Sequence, residues 1–118
     1  MAPAPPIVYS ALVKNTTHRA VTLTVTWAMP DTSDVQAQVG VASGDTVKLK
    51  QKFVRRGYTV LTGYIRRIAI NGERHREATL EAPFSGVTSP VKDYRVEIHA
   101  EGGAPQLRAI GVNRSVSS

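Results

Sequence analysis

The chain has 118 residues, with fifteen Lys and Arg against nine Asp and Glu, a net charge of +6, and 42% hydrophobic residues. That length suits one domain with one hydrophobic core, which removes about two-thirds of the unfolded surface from water. The chain contains no cysteine, which excludes disulfides, thiolate metal sites and thiol catalysis.

Residues 1–6, Met-Ala-Pro-Ala-Pro-Pro, contain three prolines and no large apolar group after Met1, and read as a disordered Pro-rich tail. They lack the basic region and the apolar run of a signal peptide, so the expected localisation is cytoplasmic. No apolar stretch approaches the roughly 20 residues of a transmembrane helix.

A single β-sandwich domain is expected over residues 7–113. Ile7 to Lys14 is a β-branched, apolar run that ends in the turn-forming Asn15-Thr16-Thr17-His18. Val21, Leu23, Val25 and Trp27 then alternate with Thr22, Thr24 and Thr26, the period-2 mark of a strand with one buried and one solvated face. These two runs are expected to pair as an antiparallel hairpin. Trp27 shares the register of the apolar row, which assigns it to the core. The pattern breaks at Met29-Pro30-Asp31, and Val35 to Ala42 reads as a third strand.

After the turn Ser43-Gly44-Asp45, a strand from Val47 to Phe53 places Val47, Leu49, Gln51 and Phe53 opposite in phase to Lys48, Lys50 and Lys52. Phe53 then falls in the buried series, and the lysines mark a solvent face that guards an edge. Arg55-Arg56-Gly57 is a turn. Tyr58 to Ile70 reads as one long strand whose alternation slips at Arg66-Arg67, which predicts a bulge or bend there. Asn71-Gly72 is a type I′ hairpin signal, returning the chain through Glu73 to Ala82 antiparallel to Ile65–Ile70. Pro83 to Pro90 is a loop. Tyr94, Val96, Ile98 and Ala100 alternate with Arg95, Glu97 and His99, and a last strand runs from about Gln106 to Val112 after a turn at Gly102-Gly103. Arg114 to Ser118 reads as a loose C-terminal tail.

The pattern gives about eight strands and no helical window. The expected fold class is all-β, an antiparallel β-sandwich of immunoglobulin-like architecture, without the Cys…Trp…Cys framework of that family. Two N-glycosylation acceptor patterns occur, at Asn15-Thr16-Thr17 and Asn113-Arg114-Ser115; without a secretion signal both read as accidental.

Charge is concentrated locally. Thr46 to Arg76 carries nine basic residues against Glu73 alone, while the remainder has six basic and eight acidic residues. Lys48, Lys50, Lys52, Arg66, Arg67, Arg74 and Arg76 are therefore the candidate anion-binding residues, with Arg66 or Arg67 expected beside Arg74 or Arg76 across the Asn71-Gly72 hairpin. Forked guanidinium pairs and lysine point charges suit phosphate or carboxylate oxygens. Tyr58 and Tyr64 fall in this segment and read as half-buried packing residues.

Catalytic signatures are absent from the sequence: there is no GxSxG, GxxxxGK[ST] or GxGxxG. Glu97, His99 and Glu101 alternate along one strand and read as a solvated polar face. His18, His75 and His99 lack the spacing of a metal site, so no metal or cofactor is expected. His75, between Arg74 and Arg76, is disfavoured from protonating by these like charges and is open to a role as a neutral donor to phosphate, although an ordinary hairpin residue is the simpler reading. The leading expectation is a non-enzymatic binding module whose partner is another protein. The alternatives are binding of nucleic acid or an acidic membrane surface through the basic face, and an enzyme of unassigned chemistry.

Overall fold

A computed structural model describes residues 7–30, 33–84 and 86–111. The two tails and the Asn113 acceptor pattern lie outside the described residues.

Among the described residues ten strands follow one another: β1 (Ala11–Asn15), β2 (Val21–Ala28), β3 (Val35–Val41), β4 (Thr46–Leu49), β5 (Phe53–Arg56), β6 (Thr59–Thr62), β7 (Tyr64–Ile70), β8 (Thr79–Glu81), β9 (Tyr94–Glu101) and β10 (Ala104–Gly111). A 3-10 turn, Arg76–Ala78, precedes β8. The all-β reading holds. The strands form one four-stranded sheet in the order β10-β9-β1-β4, a second in the order β3-β2-β7-β8, and a separate β5-β6 ribbon.

Pairing within the first sheet is mixed, which corrects the expectation of a purely antiparallel architecture. β1 runs parallel to β9, with Ala11 opposite Tyr94 and Val13 opposite Val96, and antiparallel to β4. The expected β1-β2 hairpin does not form, because the two strands belong to different sheets. The cause is local: the Asn15 side chain ties the connecting turn to Arg19 O at 2.7 Å and to Val41 O at 2.9 Å, so the chain leaves one sheet and enters the other.

Both sheets contribute to one continuous core. Ala11, Val13, Tyr94, Val96, Ile98 and Leu49 of the first sheet are buried together with Leu23, Val25, Trp27, Ile65 and Ile68 of the second. Period-2 alternation accounts for this, since each strand turns one row inward and the other outward. Phe84 packs on Tyr94 with ring centroids 5.6 Å apart.

Two expected strands are divided and a third is shortened. The run from Val47 to Phe53 splits into β4 and β5, which lie in different sheets, and Phe53 is 59% exposed rather than buried. The run from Tyr58 to Ile70 splits at Gly63. This buried glycine sits where an added Cβ would stand 2.9 Å from the Ala28 carbonyl oxygen and against Met29 Sδ, so the chain can bend tightly there only without a side chain. The expected strand from Glu73 to Ala82 shrinks to β8, because Asn71-Gly72, with Gly72 at φ +83, opens a longer connection that includes the 3-10 turn. Antiparallel pairing with β7 is retained, with Ile68 opposite Leu80. The bulge expected at Arg66-Arg67 is present: Arg67 pairs with Thr26 and Ile65 with Trp27, leaving Arg66 as the extra residue.

Candidate interaction surface

The seven candidate cations are distributed over separate parts of the fold. Lys48 lies on β4 in the first sheet, and its Nζ stands 3.4 Å from Asp93 Oδ1. Lys50 and Lys52 follow in the connection to β5. The Lys50 carbonyl accepts a hydrogen bond from Trp27 Nε1 at 3.2 Å, and Lys52 Nζ lies 4.7 Å from the centroid of the same indole. Trp27 is thus a core residue whose outer ring face carries a cation.

Arg66 and Arg67 are exposed on β7 in the second sheet, and each faces an acid. Arg66 Nη1 donates to Asp34, and Arg67 Nε lies 3.9 Å from Glu81 Oε2. Arg74 and Arg76 sit beyond the Asn71-Gly72 turn, in the connection that leads into β8, so the expected cluster across a hairpin does not assemble. The residue opposite Arg67 is Glu81.

His75, expected to feel two arginines, instead stands between two carboxylates, with Nε2 3.2 Å from Glu73 and Nδ1 3.4 Å from Glu77. Its proposed part as a neutral phosphate donor loses its premise. The Glu77 carboxyl is held below its ordinary range, first by a backbone hydrogen bond and then by His75.

A different basic surface emerges from strand register. On the outer face of the first sheet, Lys48 is opposite Leu12, and Leu12 is opposite Arg95; in the next row Lys14 is opposite Glu97, and Glu97 is opposite Arg108. With strands about 4.8 Å apart and same-face neighbours about 7 Å apart along a strand, Lys14, Lys48, Arg95 and Arg108 span all four strands in a block on the order of 14 Å by 7 Å. All four are exposed, and Glu97 is the acid among the described side chains of these two rows.

At the β4 end this face meets a recess of about 340 Å³ lined by Ser10, Lys48, Lys50, Gln51, Phe53, Lys92 and Asp93. Asp93 adopts φ +57, and its amide donates to buried Ser10 Oγ at 2.9 Å, which fixes the carboxylate beside Lys48. Lys14, Lys92, Arg95 and Arg108 escaped the sequence reading because they are dispersed in the chain. Only the parallel β1-β9 register brings them together, and no local pattern announces a parallel partner 83 residues away.

Next to the recess, the β5-β6 ribbon exposes a mixed set of residues. Phe53 and Val60 are 59% and 52% exposed, and Tyr58 at its tip is fully exposed, next to Arg55 and Arg56. Tyr58 is therefore not a packing residue, whereas Tyr64 is half-buried.

An open cleft of about 800 Å³ lies at the opposite end of the sheets, between Thr17–Thr22, Ile70–Asn71 and Gly103–Pro105, with His18, Arg19 and Glu73 in its lining. Among the described residues, no three His, Asp or Glu gather as a metal site, and no helix is long and apolar enough to cross a membrane. Comparisons with protein-family models, with curated proteins and with solved structures each returned no match.

Proposed function

We propose that the chain is a non-enzymatic binding module, a sandwich of its two sheets that presents the outer face of β10-β9-β1-β4 to an anionic macromolecule. The observation that carries this reading is the register that stacks Lys14, Lys48, Arg95 and Arg108 on one exposed face with Glu97 as the interspersed acid. Asp93 beside Lys48 and Glu97 between Lys14 and Arg108 offset part of this charge, and the net positive face that is left suits phosphates or carboxylates. Glu97 stands between Lys14 and Arg108 on an open sheet face, an arrangement that suits charge pairing better than acid–base catalysis.

The test is titration against single-stranded and double-stranded nucleic acid and against acidic-lipid vesicles at two salt concentrations. If four duplex phosphates are neutralised, affinity falls about a hundredfold between roughly 50 and 200 mM salt. Changing Lys14, Lys48, Arg95 and Arg108 to Ala abolishes that salt dependence. Absence of binding to all three probes at low salt overturns the reading.

A second reading has its own observation. The ribbon residues Phe53, Tyr58 and Val60 form an exposed apolar group of the kind that anchors protein partners. A protein partner held there is insensitive to salt and lost on Tyr58→Ala.

A further inference from the structure

We infer that β3 is an interface through which two copies of this chain join edge to edge, as antiparallel strands related by a two-fold axis. This goes beyond the anionic partner and involves the other sheet.

The two four-stranded sheets end in four edge strands, β10 and β4 in the first and β3 and β8 in the second. An unpaired edge presents free N–H and C=O groups, and native proteins blunt it with charge, proline, bulges or brevity. β4 has four residues and carries Lys48; β8 has three, ends in Glu81 and is followed by Pro83. β10 contains Pro105 and Arg108, with a register shift between Ala109 and Gly111. β3 has none of these devices. Its seven residues, Val-Gln-Ala-Gln-Val-Gly-Val, include no charge and no proline, and they pair without a register shift to β2. Among the described residues, no strand pairs with its outer side.

The core layer is also open at this edge. Val35, Ala37 and Val39 belong to the inward row, opposite Trp27, Val25 and Leu23, yet Val35 is 38% exposed and the other two are only partly buried. A neighbouring strand with the same inward row would continue that layer.

A second copy fits for a reason of symmetry. A two-fold axis normal to the sheet keeps each face on its own side, so inward valines meet inward valines and Gln36 and Gln38 meet their own kind on the outer face. The strand carries no charge, so self-pairing brings no like charges together. Amide side chains can also donate and accept in both directions.

Sedimentation of the full chain from about 1 to 100 μM tests this, since closed pairs of this size associate reversibly by mass action. The wild-type chain should form dimers and nothing larger. Gln36→Lys with Gln38→Lys, and Gln36→Glu with Gln38→Glu, should each raise the dimer Kd about tenfold by setting like charges across the axis, and an equimolar mixture of the two variants should restore wild-type affinity. Both side chains are exposed, so melting that is unchanged at the most dilute end of the series, where dimer is least populated, confirms that the folded monomer is intact. A wild-type chain that stays monomeric, dimers indifferent to both variants, failure of the mixture to recover, open-ended polymers, or an extended segment of another protein occupying β3 of a monomer would each overturn the inference.

Discussion

Replacing Asn15 by Ala should be among the most damaging single changes in this molecule. The side chain is 0% exposed and uses all of its hydrogen-bonding groups. Its Nδ2 donates to Arg19 O at 2.7 Å and Val41 O at 2.9 Å, while Oδ1 accepts from Thr17 N at 2.9 Å and Thr17 Oγ1 at 2.6 Å. Truncation leaves these partners without Asn15. Arg19 and Thr17 are near enough to solvent to recover water, so most of the cost comes from the Val41 carbonyl, which stays buried. A stranded buried group costs about 1–3 kcal/mol, and the other lost bonds add about 0.5–1 kcal/mol each where water replaces them imperfectly. The sum is about 2.5–6 kcal/mol, or on the order of 10–20 °C in Tm for a domain of this size. Urea unfolding followed by Trp27 fluorescence measures it, with an unchanged m-value showing that the transition remains two-state. A loss below about 1 kcal/mol would refute the assignment of Asn15 as the residue that directs the chain between the sheets.

Three further outcomes are expected. Changing Arg66, Arg67, Arg74 and Arg76 to Ala should leave the salt slope of anion binding intact, whereas changing Lys14, Lys48, Arg95 and Arg108 should flatten it by about 3–4; the reverse pattern would move the site to the other sheet. Gly63→Ala should cost about 1–3 kcal/mol in a denaturant titration, because the new methyl meets the Ala28 carbonyl at 2.9 Å; a cost under about 0.5 kcal/mol would show that β6 and β7 shift freely. In an NMR pH titration, His75→Ala should raise the Glu77 midpoint only part of the way to its ordinary value, since the backbone hydrogen bond is the larger cause. Because that carboxyl is depressed in the folded state, its contribution is present above its unfolded pKa and fades as the pH falls through the folded one. An unchanged midpoint would exclude His75 as a cause.

The amount of the fold legible in the sequence differed between its elements. Val21–Trp27 declared itself through strict alternation and is the centre of β2, and the slip at Arg66-Arg67 marked a real bulge. Alternation specifies which face a residue takes but not which strand lies beside it. The Asn15 turn therefore looked like a hairpin, when buried hydrogen bonds make it a crossing between sheets. The same limit governs the candidate surface. Lys48 was found because it lies in a charge-dense segment. Arg95 and Arg108 were missed because their proximity to it is a property of pairing across β1 and β9, which period-2 patterning does not encode. Phe53 kept the rhythm of the preceding residues while the chain had already left the sheet.

The parallel pairing of β1 with β9 also orders events in time. As the chain emerges during synthesis, β1 can meet β4 after about 40 residues, but its other edge waits for a partner 83 residues further along. Until then the first sheet is a two-stranded fragment, too small to persist in water. The second sheet, whose β2, β3 and β7 lie closer together along the chain, is complete through β8 earlier. The first sheet can close only when β9 slots in beside β1, so cooperative stability arrives with the final quarter of the chain, and a ribosome-bound chain that stops before Tyr94 should remain open to proteases at its N-terminal strand.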